Sequence, residues 1–456
     1  MLYHFYSPQL DIIHRGKVRD SIRVDNKSRM IIVTDRISAF NKNLENAIPD
    51  KGAVLNKLTN WWFDFTKDII PNHFIKEIDP NINLVQEAKP IKLEMIVRAY
   101  ITGSMWRGYE EGQRVFCGVA VPDGLKKNDP FPTPIITPTT KDKDDSEITE
   151  KEIFERKLTS KAVFKKMKET ALALFKRGSD HLAEKGIILV DTKYEFGMLG
   201  RKLILIDEIH TPDSSRFWSA ADYKKNPRKA EQIDKEFVRQ WMLKNKVDGV
   251  VPSVLSKKVT EETSRRYKQI YETITGLIFD IPVGNQKARI YQNLVAHSYI
   301  KHGYVAIIQG DDADLDYCKK IETHLKDFQI HTEFRRLSAA YTGQQIIEFS
   351  AKLNSSLEPA VVIVVTGRSN SLGSAVAANL NCPVISCPSF SDRSDYLINI
   401  HSSLQHSSSA MTVMDPQNAA YSAIKSLNVP ELRSHLSQKI AQRKSDLMRS
   451  DETINS

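Results

Sequence analysis

The sequence predicts two domains of different class, an α+β domain over residues 1–281 and an α/β doubly wound parallel-sheet domain over 303–432. A linker at 282–302 joins them, and a C-terminal helix and tail occupy 433–456. Three observations carry this reading. Residues 186–218 (GIILVDTKYEFGMLGRKLILIDEIHTPDSSRFW) read as two apolar strands, 187–196 and 203–209, joined at Gly197-Met198-Leu199-Gly200. From Gly303 onward, short aliphatic strands alternate with helical segments, the pattern of a parallel sheet covered on both faces. Between the two, Ile281-Pro282-Val283-Gly284-Asn285 breaks the preceding helix.

The hairpin is the chemical centre. Alternation puts Asp191, Lys193 and Glu195 on one face and Thr192, Tyr194 and Phe196 on the other. The second strand is aliphatic until Asp207-Glu208. Charges set in apolar surroundings need partners or a cation, and converging carboxylates without a base suit Mg²⁺ carrying nucleotide phosphates. The same residues also allow a plainer arrangement, Lys193 pairing with the acids on an exposed face. Thr211-Pro212-Asp213-Ser214-Ser215-Arg216 follows, a turn with two hydroxyls and an arginine that suits a phosphate.

Composition bounds the alternatives. The 456 residues are 41% apolar and 27% charged, ordinary for a globular chain of two or three domains. Net charge is +9 from 65 basic and 56 acidic residues, and no basic stripe stands out, so no nucleic-acid partner is expected. Four cysteines (Cys117, Cys318, Cys382, Cys387) without zinc spacing point to a reducing, cytoplasmic location. No signal peptide is apparent, and the longest apolar run, 360–365, is too short for a membrane span.

Taken in order, residues 11–40 give a strand, the turn Arg15-Gly16-Lys17-Val18-Arg19-Asp20, and a second strand at 30–34 leading into Asp35-Arg36-Ile37-Ser38-Ala39-Phe40. A Gly-Lys turn can lay backbone N–H groups and an ammonium on phosphates, although an ordinary hairpin turn carries the same letters. Residues 54–65 predict a helix whose Leu55, Leu58, Trp61, Trp62 and Phe65 face the core. Residues 91–110 read strand, turn, helix: Glu94 and Arg98 share a strand face, and Thr102-Gly103-Ser104 opens the helix as an N-cap or an anion site. Residues 131–140 (FPTPIITPTT) hold too many prolines for a central strand, and Lys141-Asp142-Lys143-Asp144-Asp145 follows as a charged loop or lid. Helices are predicted at 149–185, about 234–245 and 260–275. In the second domain, strands at 304–308, 332–337, 360–365 and 383–386 each end in a Gly/Ser/Asp loop, the end where such sheets bind ligands. Residues 402–414, with five serines, read as a loop, and 433–447 as a basic helix ahead of a disordered end.

These motifs together resemble the SAICAR synthetase family over residues 10–280. The resemblance lies in GKVRD (16–20), TDRISAF (34–40), IPDKG (48–52), VRAYITGS (97–104), DTKYEFG (191–197) and DEIHTPDSSRFW (207–218). Residues 303–430 resemble the AIR carboxylase family through TGRSNSLG (366–373) and PVISCPS (383–389), so the whole resembles a bifunctional fusion. The resemblance implies the reaction ATP + CAIR + L-aspartate → ADP + phosphate + SAICAR, in which the CAIR carboxylate is phosphorylated and then attacked by the aspartate amine. It implies ATP and Mg²⁺ as cofactors. Lys17, with Gly16 and Val18, would hold ATP. Glu195 and Asp207 would ligate Mg²⁺. Lys193, Asp191 and Asp145 would be catalytic. Arg98, Ser104 and Arg216 would grip the CAIR phosphate with Ser214 or Ser215, and Glu94, Asp35, Ser38 and Lys141 would border the substrates.

The second domain departs from its family. The family's catalytic histidine is replaced in Ser338-Ala339-Ala340, where alanine cannot transfer a proton. A phosphate-binding Gly-Ser is Gly310-Asp311, and Gln405–Ser409 stands where the family has Leu-Pro-Ser-Gly. The expectation is a working synthetase with an inactive carboxylase-like domain kept for assembly, as a homo-oligomer and, by resemblance, an octamer. Two alternatives stand beside it. One is a fully bifunctional enzyme in which His331 or His406 replaces the lost histidine. The other is a non-catalytic ligand-binding regulator.

Overall fold

The structure, a computed structural model, describes residues 1–39, 42–142, 145–230, 235–405 and 410–454. Phe40, Lys143, Asp144, Asp234, His406 and residues 407–409, all named above, lie outside the described residues. Contacts divide the chain into two units, Met1–Tyr3 with Ile12–Gly284 and His4–Asp11 with Asn285–Ser456.

The first unit is built on two five-stranded sheets. One has the order Asp11–Arg15, Arg19–Arg23, Ser28–Val33, Ile82–Gln86, Phe74–Asp79. Arg19 and Asp20 therefore belong to a strand and not to the turn that the sequence predicts. The other runs Pro130–Thr140, Lys89–Tyr100, Ile187–Leu199, Lys202–Ile206, with Ser215–Ser219 also pairing to Ile187–Leu199, and it is antiparallel throughout. The proline-rich stretch is its edge strand, the place in a sheet where prolines are tolerated.

Period-two alternation holds across this second sheet. Leu93, Met95, Val97, Tyr194 and Phe196 are fully buried in a core that also takes Phe164, Met167, Leu174 and Phe175 from the helix Lys161–Glu184. The opposite face carries Glu94, Arg98, Asp191, Lys193 and Glu195. The hairpin differs from expectation in two ways. The first strand continues through Gly197 to Leu199, so the turn is only Gly200-Arg201. The second strand stops at Ile206, because Asp207 adopts a left-handed φ of 67° and turns the chain out of the ladder. The helix expected at 54–65 begins three residues earlier, at Lys51. The helices expected at about 234–245 and 260–275 are Lys235–Lys244 and Lys257–Thr275.

The second unit holds a parallel sheet ordered His331–Arg336, Tyr304–Gln309, Ala360–Val365, Val384–Ser386, Met411–Thr412. Its strands alternate between two cores. Val305, Ile307, Val361 and Ile363 face Leu315–Lys326 and Pro416–Leu427, while Ala306, Ile308, Val362 and Val364 face Gly343–Asn354 and Ser371–Ala377. Residues 286–296, inside the expected linker, form a helix that Asn285 caps. The expected loop at 402–414 instead continues the helix Arg393–Gln405 and later supplies the strand Met411–Thr412. The C-terminal helix is longer than expected and runs Pro430–Ile454. Among the described residues no helix is long and apolar enough to cross a membrane.

Candidate active site

The polar face of the second sheet forms the floor of a cleft of about 940 Å³ within the first unit. Antiparallel register decides which side chains meet there. Glu195 lies opposite Glu94, and Asp191 lies opposite both Arg98 and Arg216. Directly opposed residues share a face, so the strand sets two charged clusters along one line.

The first cluster lies in the cleft. Lys193 Nζ is 2.8 Å from Glu94 Oε1 and 3.9 Å from Glu195 Oε1, and Lys141 pairs with the other oxygen of Glu195. Arg19 Nη1 is 2.9 Å from Asp207 Oδ1, and its second amine meets Glu208. Burial disfavours the Lys193 charge, but Glu94, Glu195 and Asp207 together raise its pKa, so it stays an ammonium. Burial and then Asp207 push Glu195 up to about 8 against the pull of Lys141 and Lys193. At Asp207 burial is outweighed by Arg19, Lys193, Lys141 and His73, which hold it at about 2. Two carboxylates that repel each other across an open cleft are ready for a cation.

Gly16, Lys17, Val18 and Ser38 line the same cleft. The turn that carries Gly16, Lys17 and Val18 is pinned from behind by Arg36, which donates to the Gly16 and Lys17 carbonyls at 3.1 and 2.9 Å and pairs with Asp20 at 2.7 Å. Asp145 also reaches the cleft. Its carboxyl is raised by burial and by Glu94, against Lys193 and Lys17.

The second cluster lies outside the cleft lining. Asp191 Oδ2 takes Arg98 at 3.1 Å and Arg216 at 2.7 Å, and Arg98 Nε donates to Thr137 Oγ1 at 2.8 Å. Two guanidiniums share one carboxylate, which leaves a net positive charge; burial pulls Arg98 below its ordinary value, and Arg216 adds to that pull. Beside them begins the helix Gly103–Glu110, with Ser104 exposed in its first turn. Gly103 has φ 61°, which favours glycine, and a Cβ there would lie 2.6 Å from Arg216 Nη1 and displace the guanidinium. Thr102 makes no side-chain capping bond, which leaves the helix-start N–H groups without that partner.

Two expected residues sit elsewhere. Asp35 is fully buried and accepts from Leu2 N at 2.7 Å and Gly52 N at 2.9 Å; it ties backbone together and does not line the cleft. Ser215 is in register with Thr192, on the face away from Arg216, and donates to Thr192 Oγ1 at 2.8 Å. Conversely, Arg19, His73, Glu208 and Asp213, none of which the sequence predicts as a site residue, line the cleft. Arg19 had a signal, its place in GKVRD beside Lys17. The others reach the cleft through tertiary contacts.

His73 and His210 are buried, and burial pushes them down to about 4 and about 3, with His181 adding to the shift at His210. Below an unfolded value of 6.5 the unfolded chain takes up protons that the folded chain refuses, so stability falls on acidification. The expected slope is up to ~1.4 kcal/mol per pH unit for each histidine, ending near the two folded values. All five tryptophans (Trp61, Trp62, Trp106, Trp218, Trp241) lie in the first unit, so urea unfolding followed by their fluorescence between pH 7 and 5 reads this effect. His73→Gln should remove one share of the slope, and an unchanged slope would contradict the assignment.

Among the described residues no group of three or more His, Cys, Asp or Glu is placed to hold a metal. Glu195 and Asp207 thus do not form an all-protein cage, but they fit a cation that arrives with other oxygen ligands.

Residues 12–254 match the SAICAR synthetase family model and residues 304–448 the AIR carboxylase model. A phosphoribosylaminoimidazole-succinocarboxamide synthase of Azobacteroides pseudotrichonymphae is 45% identical over 292 residues, 62% of this chain and 90% of the relative. That of Cytophaga hutchinsonii is 41% identical over 292 residues, 62% of this chain and 94% of the relative. A solved SAICAR synthase from Saccharomyces cerevisiae, complexed with SAICAR, is 36% identical with a TM-score of 0.57, covering 62% of this chain and all of its own. The chain belongs to the SAICAR synthetase family, ligases of purine biosynthesis, and carries an AIR carboxylase-like domain after the synthetase.

Proposed function

We propose that the first unit joins CAIR and L-aspartate to give SAICAR, with cleavage of ATP to ADP and phosphate. The observation that carries this reading is the pair of charged clusters that the second sheet sets side by side. One, in the cleft, brings Lys193 and Glu195 together with Lys17 and Asp207 from neighbouring turns for a triphosphate, and the other presents Arg98 and Arg216 to a second anion.

Glu195 and Asp207 would hold Mg²⁺, whose charge neutralises phosphate oxygens during phosphoryl transfer. Lys17, with the Gly16 and Val18 backbone, binds the ATP phosphates. Lys193, held by Glu94 on one side and Glu195 on the other, directs its ammonium at the transferring phosphoryl group. Arg98, Arg216 and the helix start at Ser104 take the CAIR phosphate, while Asp191 keeps both guanidiniums aimed. Lys141 and Ser38 border the bound substrates. Asp145, with its raised carboxyl, is placed to take the proton that the aspartate amine loses on attack.

The second unit, in this proposal, has lost carboxylation and serves homo-oligomer assembly, an octamer by analogy, in the cytoplasm. Three features support the loss. Ala340 has no proton to give. The Asp311 carboxylate caps its own turn, accepting from Ala313 N at 3.3 Å, so the loop offers an anion where a phosphate would enter. His331 begins its strand and pairs with Tyr304, at the amino end of the sheet, whereas the ligand loops follow the carboxyl ends.

The test supplies ATP, Mg²⁺ and aspartate with either CAIR or AIR plus bicarbonate, to the full chain and to one ending near residue 290. SAICAR from CAIR alone is the expected result. Faster SAICAR formation from AIR in the full chain than in the shortened one would restore carboxylase activity to the second unit. Gel filtration of the two chains tests assembly, and an unchanged oligomeric state would rule it out.

A further inference from the structure

We propose that His210 is a positioning residue of the first unit, locking the substrate-binding turn that ends at Arg216 to the strand that bears Lys193 and Glu195. The inference rests on the assignment of Arg216 to the phosphate of the imidazole substrate.

The side chain is held on three sides. Its Nε2 lies 2.6 Å from the Tyr194 hydroxyl, and both residues are fully buried. Tyr194 sits between Lys193 and Glu195 in sequence and projects to the opposite face of the same strand. The Trp62 indole meets the imidazole edge-on at 4.6 Å. Gly178, in the helix Lys161–Glu184, closes the third side; a Cβ there would stand 2.4 Å from His210 Cε1. At that distance a side chain would have to push the helix and the ring apart, so glycine lets the two pack directly.

The backbone shows why such a clamp is needed. His210 has φ 48° and Asp207 has φ 67°, two non-glycine residues in the left-handed region within four positions. Such backbone persists where its surroundings over-determine it. At Asp207 the Arg19 ion pair does this; at His210 the Tyr194 bond and the Gly178 contact do. The turn begins one residue later. Thr211 N donates to Ser214 Oγ at 3.1 Å, Ser215 N to the Thr211 carbonyl at 2.9 Å, and Lys193 N to the Ser214 carbonyl at 3.1 Å. Arg216 is the next residue. A shift of the imidazole therefore moves the start of a short hydrogen-bonded turn whose far end aims a guanidinium. Burial keeps the ring neutral at working pH, so the Tyr194 bond does not depend on titration there.

Tyr194→Phe removes only the hydroxyl, and Gly178→Ala drives a methyl toward the ring. In the full chain each should raise the KM for CAIR about tenfold, the effect of one lost buried hydrogen bond, and leave the KM for ATP unchanged. The double variant should be no worse than the worse single, because both act through one ring. Arg216→Gln serves as the reference. If it leaves the KM for CAIR unchanged, the phosphate assignment fails. If it raises that KM while Tyr194→Phe does not, or while Tyr194→Phe shifts both substrates equally, the positioning role of His210 is overturned. Should Gly178→Ala not fold, Tyr194→Phe decides alone.

Discussion

Asp207→Asn is expected to lower turnover at least ~100-fold while the first unit stays folded, the range seen when one preorganised electrostatic group is removed. The fold should survive because asparagine is the residue best suited to replace aspartate at φ 67°: both enter the left-handed region far more readily than other side chains. It is also nearly isosteric, so Arg19 still finds an oxygen acceptor at 2.9 Å. What disappears is charge. In the cleft Asp207 and Glu195 are the two carboxylates that repel each other, with Glu195 pushed up to about 8 and Asp207 held at about 2. Without Asp207 the remaining carboxylate, already paired to Lys141 and Lys193, offers a divalent cation too little charge. The check is SAICAR formation across a Mg²⁺ titration, beside tryptophan fluorescence as the monitor of folding. Retention of more than a few per cent of activity at saturating Mg²⁺ would remove Asp207 from the cation site.

The sequence made this site legible in part, and the boundary has a physical basis. Lys193 and Glu195 lie on one strand, where the two-residue period alone assigns faces, and Asp207 follows directly after its hairpin partner. Glu94 and Arg98 were legible as a same-face pair, but their partners were not. That Glu94 meets Lys193 and Arg98 meets Asp191 depends on the register between strands about 90 residues apart, which local pattern does not encode. Glu208 and His73 lie just outside strands, and what they meet in the cleft is set by tertiary contacts such as that of Glu208 with Arg19. Asp35 was misplaced because a carboxylate after a strand reads alike whether it faces a ligand or, as here, the backbone N–H groups of Leu2 and Gly52. In the second unit the strands were readable as apolar runs, while the helix 286–296 was not. Its polar surface and the Pro-Gly break before it resemble a linker until Asn285 is seen capping it.

Lys51→Met should cost the first unit about 3–5 kcal/mol, the penalty for stripping one partner from a buried ion pair. Lys51 is fully buried at the start of its helix, an uncommon place for a lysine. Its Nζ lies 2.7 Å from Asp213 Oδ2 and 5.5 Å from the centre of the Tyr267 ring, and Asp213 Oδ1 takes the Tyr267 hydroxyl at 3.1 Å. Methionine keeps the length and apolar stem of the side chain and deletes the ammonium, so the loss reports on the charge and not on a cavity. Asp213, with 7% side-chain exposure, would then keep the Tyr267 hydroxyl and the field of Arg19 but lose the lysine in direct contact with it. The double variant Lys51→Met, Asp213→Asn removes both charges and should recover much of the stability, because an uncompensated charge and not the absence of a pair is the main penalty. Denaturant unfolding followed by tryptophan fluorescence reads only the first unit, since the second contains no tryptophan. A single-variant loss below ~1 kcal/mol would mean that water reaches the pair and that it behaves as a surface bridge. Recovery of stability in the double variant without recovery of activity would separate the two roles of Asp213, since the same carboxylate both anchors the helix start and lines the cleft.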